Sequence, residues 1–186
     1  MILPIVAFGS SILREKCKKI TKEYPNLLQL IADMHESMYA ASGVGLAAPQ
    51  INKAIRIFII DTAPFSEDEQ MKIKPIKQVF INPKMISEKA EEWSFNEGCL
   101  SIPGIREDII RKSEIEIEFL DENFKTQIMK YGGITARVIQ HEYDHLEGIL
   151  FTDKISALRK RVLKGKLTDI SKGKVDVSYK MRFPKR

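Results

Sequence analysis

Residues 140–148 read Gln-His-Glu-Tyr-Asp-His-Leu-Glu-Gly, and they hold the tightest constraint on the fold: His141 and His145 stand four apart, with Glu142 directly after the first. On an α-helix that spacing aims two imidazoles from one face at one point, with a carboxylate beside them. The chain has 3 histidines in all. Placing two of them at ligand spacing favours a metal site with its own base over two core histidines that bind nothing. Ile134, Val138, His141 and His145 follow one another at intervals of four, three and four, so the candidate ligands end an apolar stripe that must point into a core. Ile134 and Val138 are packing residues on that stripe. Lying one and two turns before a ligand, they are also candidates to line a pocket for an unbranched apolar side chain.

A third ligand would strengthen the case for a metal sharply. The two cysteines sit in unlike settings, Cys17 among charges in Glu-Lys-Cys-Lys-Lys and Cys99 in Asn-Glu-Gly-Cys-Leu-Ser. Two cysteines in a chain of this size do not form the dense framework of small secreted scaffolds, so reduced thiols are expected. Cys17 reads as an ordinary surface thiol. Cys99 is the natural third ligand, because one thiolate and two neutral imidazoles hold a divalent transition metal and leave a fourth position open.

With 186 residues and 44% apolar content, the chain is expected to form one domain with a substantial core. No apolar run approaches the roughly 18 residues of a membrane span, and the N-terminus lacks the basic start of a signal peptide. A cytoplasmic protein with no membrane contact is the expectation. Leu27, Ile31, Met34 and Met38 recur at helical spacing, which predicts a helix over Pro25–Ala41, with His35 structural within it. Strands are expected at Ile55–Ile60, Val79–Ile81 and Glu114–Phe119, the last returning through an Asp121-Glu122-Asn123 turn to Thr126–Met129. Residues Glu67–Lys77 read as an exposed charged loop. A last helix is expected from Asp153 to about Leu163, ended by Lys164-Gly165-Lys166. The fold class is therefore α+β, mostly antiparallel strands packed around the central metal-binding helix.

Charge is uneven. From Arg159 onward the chain carries 11 Lys or Arg against Asp169 and Asp176, a local net of +9 in a protein whose overall charge is +5. Residues 1–158 then form the catalytic domain and 159–186 a basic tail, read either as a solvated, partly disordered end or as a surface that meets an acidic partner such as RNA.

Three segments carry a family resemblance: Gly43-Val44-Gly45-Leu46-Ala47-Ala48-Pro49-Gln50, Glu97-Gly98-Cys99-Leu100-Ser101 and Gln140 to Gly148. In this order they resemble the three signature motifs of peptide deformylase, and the likeness runs through most of residues 1–156. Gly43, Gly45 and Ala48 also match a dinucleotide-binding G-x-G-x-x-A, but that fingerprint follows a strand and opens a helix, and here the order is reversed. No nucleotide cofactor is expected. Gly45 is read as a place where bare backbone lies against a peptide substrate, and Gly43 as a tight structural turn.

The resemblance implies removal of the formyl group from the N-terminal formylmethionine of newly made proteins, releasing formate. It implies a metal held by Cys99, His141 and His145, usually Fe(II), with Zn(II), Ni(II) or Co(II) as substitutes. A bound water would be activated there, with Glu142 as general base and then proton carrier to the leaving nitrogen. The Gln50 side-chain amide and the Leu100 backbone N–H are implied as donors to the developing oxyanion. Val44, Gly45, Ile134 and Val138 are implied to receive the substrate, the apolar ones its methionine side chain. N-formylmethionyl nascent peptides are the implied partners, with the ribosome a candidate contact for the basic tail. Asp144 is read as a helix anchor through a basic partner, Arg111. Glu97 is left open between supporting a ligand and meeting the substrate. Two rival readings are weighed. A zinc endopeptidase takes a third His or Glu further along, but no histidine follows His145. A closed structural site would need a fourth protein ligand.

Overall fold

Apolar residues at helical spacing give α1 (Leu27–Ala40), whose Leu27, Leu30, Ile31, Met34 and Met38 are buried. The helix starts two residues later than its periodicity suggests, because Asn26 adopts the left-handed conformation at φ 54° and turns the chain into it. The computed structural model describes residues 1–66 and 73–184, so residues 67–72 of the expected charged loop lie outside the described residues. Before α1 lies β1 (Ile5–Val6) and after it come β2 (Gly45–Ala47), β3 (Ile57–Asp61) and the single turn α2 (Ala63–Ser66). Two long strands follow, β4 (Lys77–Cys99) and β5 (Ile102–Leu120), then β6 (Thr126–Gly132). The chain continues through α3 (Gly133–Leu146) and α4 (Ala157–Ser171) to β7 (Met181–Arg182).

Strands β2 to β6 form one sheet in sequence order with every neighbouring pair antiparallel, and β1 pairs with β7 as a separate parallel ribbon. The architecture is mixed helix and antiparallel sheet. The β5–β6 turn forms where expected, with the Asp121 carboxylate accepting from the Asn123 and Lys125 backbone N–H groups.

The β4–β5 hairpin is far longer than Val79–Ile81 and Glu114–Phe119 indicate. Its buried positions on β5 alternate as Ile105, Glu107, Ile109 and Arg111, so charged residues occupy half of an inward row. Register shifts near Asn82, Met85 and Ala90 break the period of two, and Asn82 and Ala90 take positive φ there. Only Leu100 and Ser101 separate β4 from β5.

Helix α3 packs against β2, β3, β5 and β6. Its Ala136, Val138, Ile139 and Leu146 share an apolar cluster with Phe58, Phe80 and Phe119 of the sheet. Phe80 lies 4.5 Å from Phe58 and 4.4 Å from Phe119 between ring centroids, and burying each such side chain stabilises the fold by roughly 1.5–3 kcal/mol. This packing fixes the helix that bears the histidines.

Two expectations need correction. Helix α4 does not stop at Gly165 but runs to Ser171, because Leu163, Leu167 and Ile170 extend its apolar stripe, with Leu163 and Ile170 buried. That stripe outweighs the roughly 1 kcal/mol a mid-helix glycine costs. Its start is also later than Asp153, at the Ser156 cap, whose hydroxyl accepts from the Arg159 N–H. Cys17 is not a surface thiol: it is buried, its N–H donates to the Leu146 carbonyl, and burial raises its pKa to about 11. Its charged neighbours point outward while the short side chain turns in.

Candidate metal centre

Cys99 ends β4 and His141 and His145 lie one turn apart on α3, so the sheet delivers the thiol to the histidine face of the helix. One ligand atom from each of the three lies within 4.8 Å of the others. The Cys99 Sγ to His145 Nε2 separation is 3.3 Å. Two ligands at about 2.3 and 2.05 Å from a tetrahedral ion would stand about 3.5 Å apart, so the set is spaced to hold a divalent metal. Among the described residues this is the cluster of that kind, and it contains no fourth protein ligand.

The support beneath the ligands is a buried charge network. His141 Nδ1 lies 2.9 Å from Glu97 Oε2, leaving Nε2 for a metal. Glu97 also accepts from Arg111 Nε at 2.7 Å and Nη2 at 3.0 Å, and from Arg137 Nη1 at 3.0 Å. Arg111 reaches on to Asp144 at 2.6 Å. Asp144 is thus anchored by the residue expected, and Glu97 orients His141. Burial pushes the Glu97 carboxyl up, but hydrogen bonds and charge from His141 and Arg111 outweigh it and hold it well below the usual carboxylate range. Burial first, and then the neighbouring His141 and Arg111, lower the His145 pKa well below its ordinary value, the direction that favours the neutral imidazole that ligates.

Glu142 is 4% exposed, and its Oε2 is buried without a hydrogen-bond partner among the described residues. An orphaned carboxylate oxygen beside three converging ligands is the mark of a site shaped to take something more. Burial, reinforced by Glu97, raises the Glu142 pKa to about 7 against the opposing pull of His141. Gly45 explains how the carboxylate fits. A Cβ there would meet Glu142 Cδ and Cγ at 2.8 Å, so the bare strand makes room for the acid. The expected turn at Gly43 is made instead by Ser42 at φ 53°, while Gly43 makes room for Leu100, whose Cδ1 would lie 2.9 Å from an added Cβ.

A cavity of about 690 Å³ opens over this centre. Val44, Gly45, Gln50, Cys99, Leu100, Val138, His141 and Glu142 all line it. Ile134 is buried but lies outside that lining, as does His145. The Gln50 amide has a fixed orientation: Oε1 accepts from the Ala47 N–H at 2.8 Å, which turns Nε2 towards Cys99 Sγ at 3.5 Å and Ser101 Oγ at 3.4 Å.

Sequence reasoning missed two residues. Arg137 stands one turn before His141, and its guanidinium also donates to the Trp93 and Ile109 carbonyls while stacking 4.5 Å from the Trp93 ring. An arginine on the ligand face was the available signal. Tyr179 lines the cavity from far along the chain and carries no local signal.

A Cys-His-His ligand set with a buried glutamate under an open cavity defines a metal-dependent hydrolase. The chain belongs to the polypeptide deformylase family, matching it over residues 2–161. It is 55% identical over 190 residues to a peptide deformylase of Christiangramia forsetii, covering 99% of this chain and 97% of the relative. A peptide deformylase of Flavobacterium johnsoniae is 54% identical, covering 98% and 96%. Among solved structures, that of a peptide deformylase from Ehrlichia chaffeensis superposes with a TM-score of 0.84 at 31% identity, covering 94% of this chain and 99% of that one. One from Legionella pneumophila gives 0.79 at 33% identity, with 94% and 98% covered. Family members are metal-dependent hydrolases that remove the N-formyl group from the terminal methionine of new proteins.

Proposed function

We propose that Cys99, His141 and His145 hold Fe(II) in the cell, with Zn(II), Ni(II) or Co(II) as substitutes, and that Glu142 carries the proton through the deformylation. The observation that supports this most is the unpartnered Glu142 Oε2 buried beside three ligand atoms that converge within 4.8 Å. When bound, the metal supplies Lewis acidity, polarising the formyl carbonyl and lowering the pKa of water to about 7. Glu142 takes the proton from the attacking water and delivers it to the departing nitrogen, so formate leaves and a free amine remains.

Negative charge builds on the former carbonyl oxygen. The Gln50 Nε2 and the Leu100 backbone N–H donate to it, and each such donor is worth about 2.7–4 kcal/mol of barrier. Glu97 fixes the His141 tautomer so that Nε2 faces the cavity. Val44, Gly45 and Val138 receive the substrate; Ile134 is buried on the same helix but does not line the cavity. The flexible thioether of methionine suits such an apolar recess. A formyl group carries no methyl, so a tight pocket at the metal, distinct from the side-chain recess, excludes an acetyl by clash.

The substrates are formylmethionyl nascent chains in the cytoplasm; no helix among the described residues is long and apolar enough to cross a membrane. Residues 1–158 supply the reacting groups. The exposed basic residues of α4, Arg159, Lys160, Arg161, Lys164 and Lys166, offer the ribosome a cationic surface. The test is formate release from a short N-formyl-methionyl peptide by protein purified without oxygen and loaded with Fe(II), beside its N-acetyl counterpart. Release from the formyl peptide alone is expected, and a metal-loaded protein that cleaves neither sinks the reading.

A further inference from the structure

The turn that carries Cys99, Leu100 and Ser101 is the least supported part of the metal centre by its own hairpin, since only Leu100 and Ser101 join the two strands and the register shifts between Gly98 and Cys99. It is held from outside. The Tyr179 hydroxyl donates to the Leu100 carbonyl at 2.8 Å, and the Phe8 N–H donates to the Ser101 carbonyl at 2.8 Å.

Both donors flank the β1–β7 ribbon. Ile5 pairs with Met181 and Val6 with Arg182, and the Ile5 N–H donates to the Lys180 carbonyl at 2.8 Å, so Phe8 follows one strand and Tyr179 precedes the other. Two peptide groups of the turn are therefore pinned from two ends of one ribbon. Gln50 Nε2 approaches Ser101 Oγ at 3.4 Å from the opposite element. Residues 176–179 also line the cavity, although they lie beyond residues 2–161 that match the family.

We propose that Tyr179 is a positioning residue, whose hydrogen bond to the Leu100 carbonyl holds the Leu100 N–H in line with the oxyanion. The inference rests on the assignment of Leu100 as an oxyanion donor. An oxyanion donor acts only if its direction is set before charge develops, and misplacement by about 1 Å can cost two orders of magnitude. The pinned carbonyl fixes the Leu100–Ser101 peptide plane, and with Cys99 held by β4 on the other side only a narrow range of φ and ψ at Leu100 joins the two, which limits the tilt of the Leu100 N–H. The ribbon makes the C-terminal segment part of the catalytic apparatus rather than an appendage.

Tyr179→Phe removes the hydroxyl and keeps the ring, so folding should survive. A Tyr131→Phe variant, which removes a partly buried hydroxyl far along the sheet, serves as control. In full-length protein with equal metal content, kcat on a formyl-methionyl peptide should fall about tenfold with KM within about twofold. The Leu100 amide resonance in the Zn(II)-loaded protein should shift and broaden in Tyr179→Phe but not in Tyr131→Phe. An unchanged kcat with an unchanged Leu100 amide overturns the proposal, and so does a fall in kcat matched by lost metal or by an equal fall in Tyr131→Phe. If the wild-type protein released no formate, the deformylase reading would fail, while the Leu100 amide would still decide whether Tyr179 orders the turn.

Discussion

Helices α3 and α4 are nearly equal in length, 14 and 15 residues, yet ten residues of α3 are buried and only Leu163 and Ile170 of α4. In α3 the buried set includes Arg137, Gln140, Glu142 and His145, polar groups that water would otherwise solvate. Such groups are tolerated inside only when paired or when function requires them. The partners of Arg137, Gln140 and His145 come from β4 and β5, so α3 is positioned by a polar network as much as by its apolar face, while Glu142 is left for the reaction. Helix α4 is attached by a narrow stripe and by Arg159, whose Nε donates to Glu107 at 3.0 Å. One helix is specified by what it must hold still; the other leaves most of its surface free.

The contrast breaks most sharply at Glu142. Glu142→Ala should keep the metal, because Cys99, His141 and His145 are untouched, while turnover falls by about 10²–10⁴-fold. Metal analysis beside formate release checks this, and normal turnover would remove Glu142 from the reaction. The next largest effect is at Glu97. Glu97→Gln leaves Arg111 and Arg137 without their shared carboxylate, a loss of about 3–5 kcal/mol for a broken buried pair. It should also weaken metal affinity by about 10–100-fold through the freed His141.

Acid titration sharpens the same point. Because the folded Glu97 carboxyl is held below the unfolded value, its stabilisation is complete above the unfolded pKa of about 4.3 and is lost as the pH falls through the folded one. The wild-type protein should lose stability steeply below about pH 4, and Glu97→Gln should show a shallower slope there in urea titrations. Parallel slopes would mean that other carboxylates dominate.

Helix α3 was legible because its signal is local: Ile134, Val138, His141 and His145 share a face within twelve residues. The Glu97 network was half legible. Arg111 could be paired with Asp144 as its opposite charge, but Arg137 offered only its place one turn before His141, and its partners Glu97, Trp93 and Ile109 lie on strands remote in sequence. The hairpin around them was illegible for the same reason that it works. Glu97, Glu107 and Arg111 occupy inward positions that a strand pattern reserves for apolar residues, and the irregular register at Asn82 and Ala90 resets the alternation. Tyr179 meets Leu100 across 79 positions of sequence, a contact that only the β1–β7 ribbon creates.

On α4 the effects should be smaller and confined to stability. Leu163 packs with Val6, Leu13, Ile102 and Phe151 in one cluster. Leu163→Ala should cost about 2–3 kcal/mol, near the lower end for buried leucines, since the open outer face of α4 lets the helix settle. Formate release per folded molecule should stay close to wild type. A large loss of turnover at full folding would show that α4 is coupled to the site through β5.

The smallest effect is a gain. Gly165 lies inside α4 with no atom within 4 Å of an added Cβ, whereas Gly133 at the start of α3 has φ 56° and is strained by any side chain. Gly165→Ala should therefore stabilise the protein by up to about 1 kcal/mol, because alanine gives up less backbone freedom on entering a helix. For a chain of this size that is a rise of about 2–4 °C in Tm. Gly133→Ala should lower Tm instead. If both substitutions lowered Tm, the open space beside Gly165 would have to be filled in the working protein, and α4 would no longer be the loosely held member of the pair.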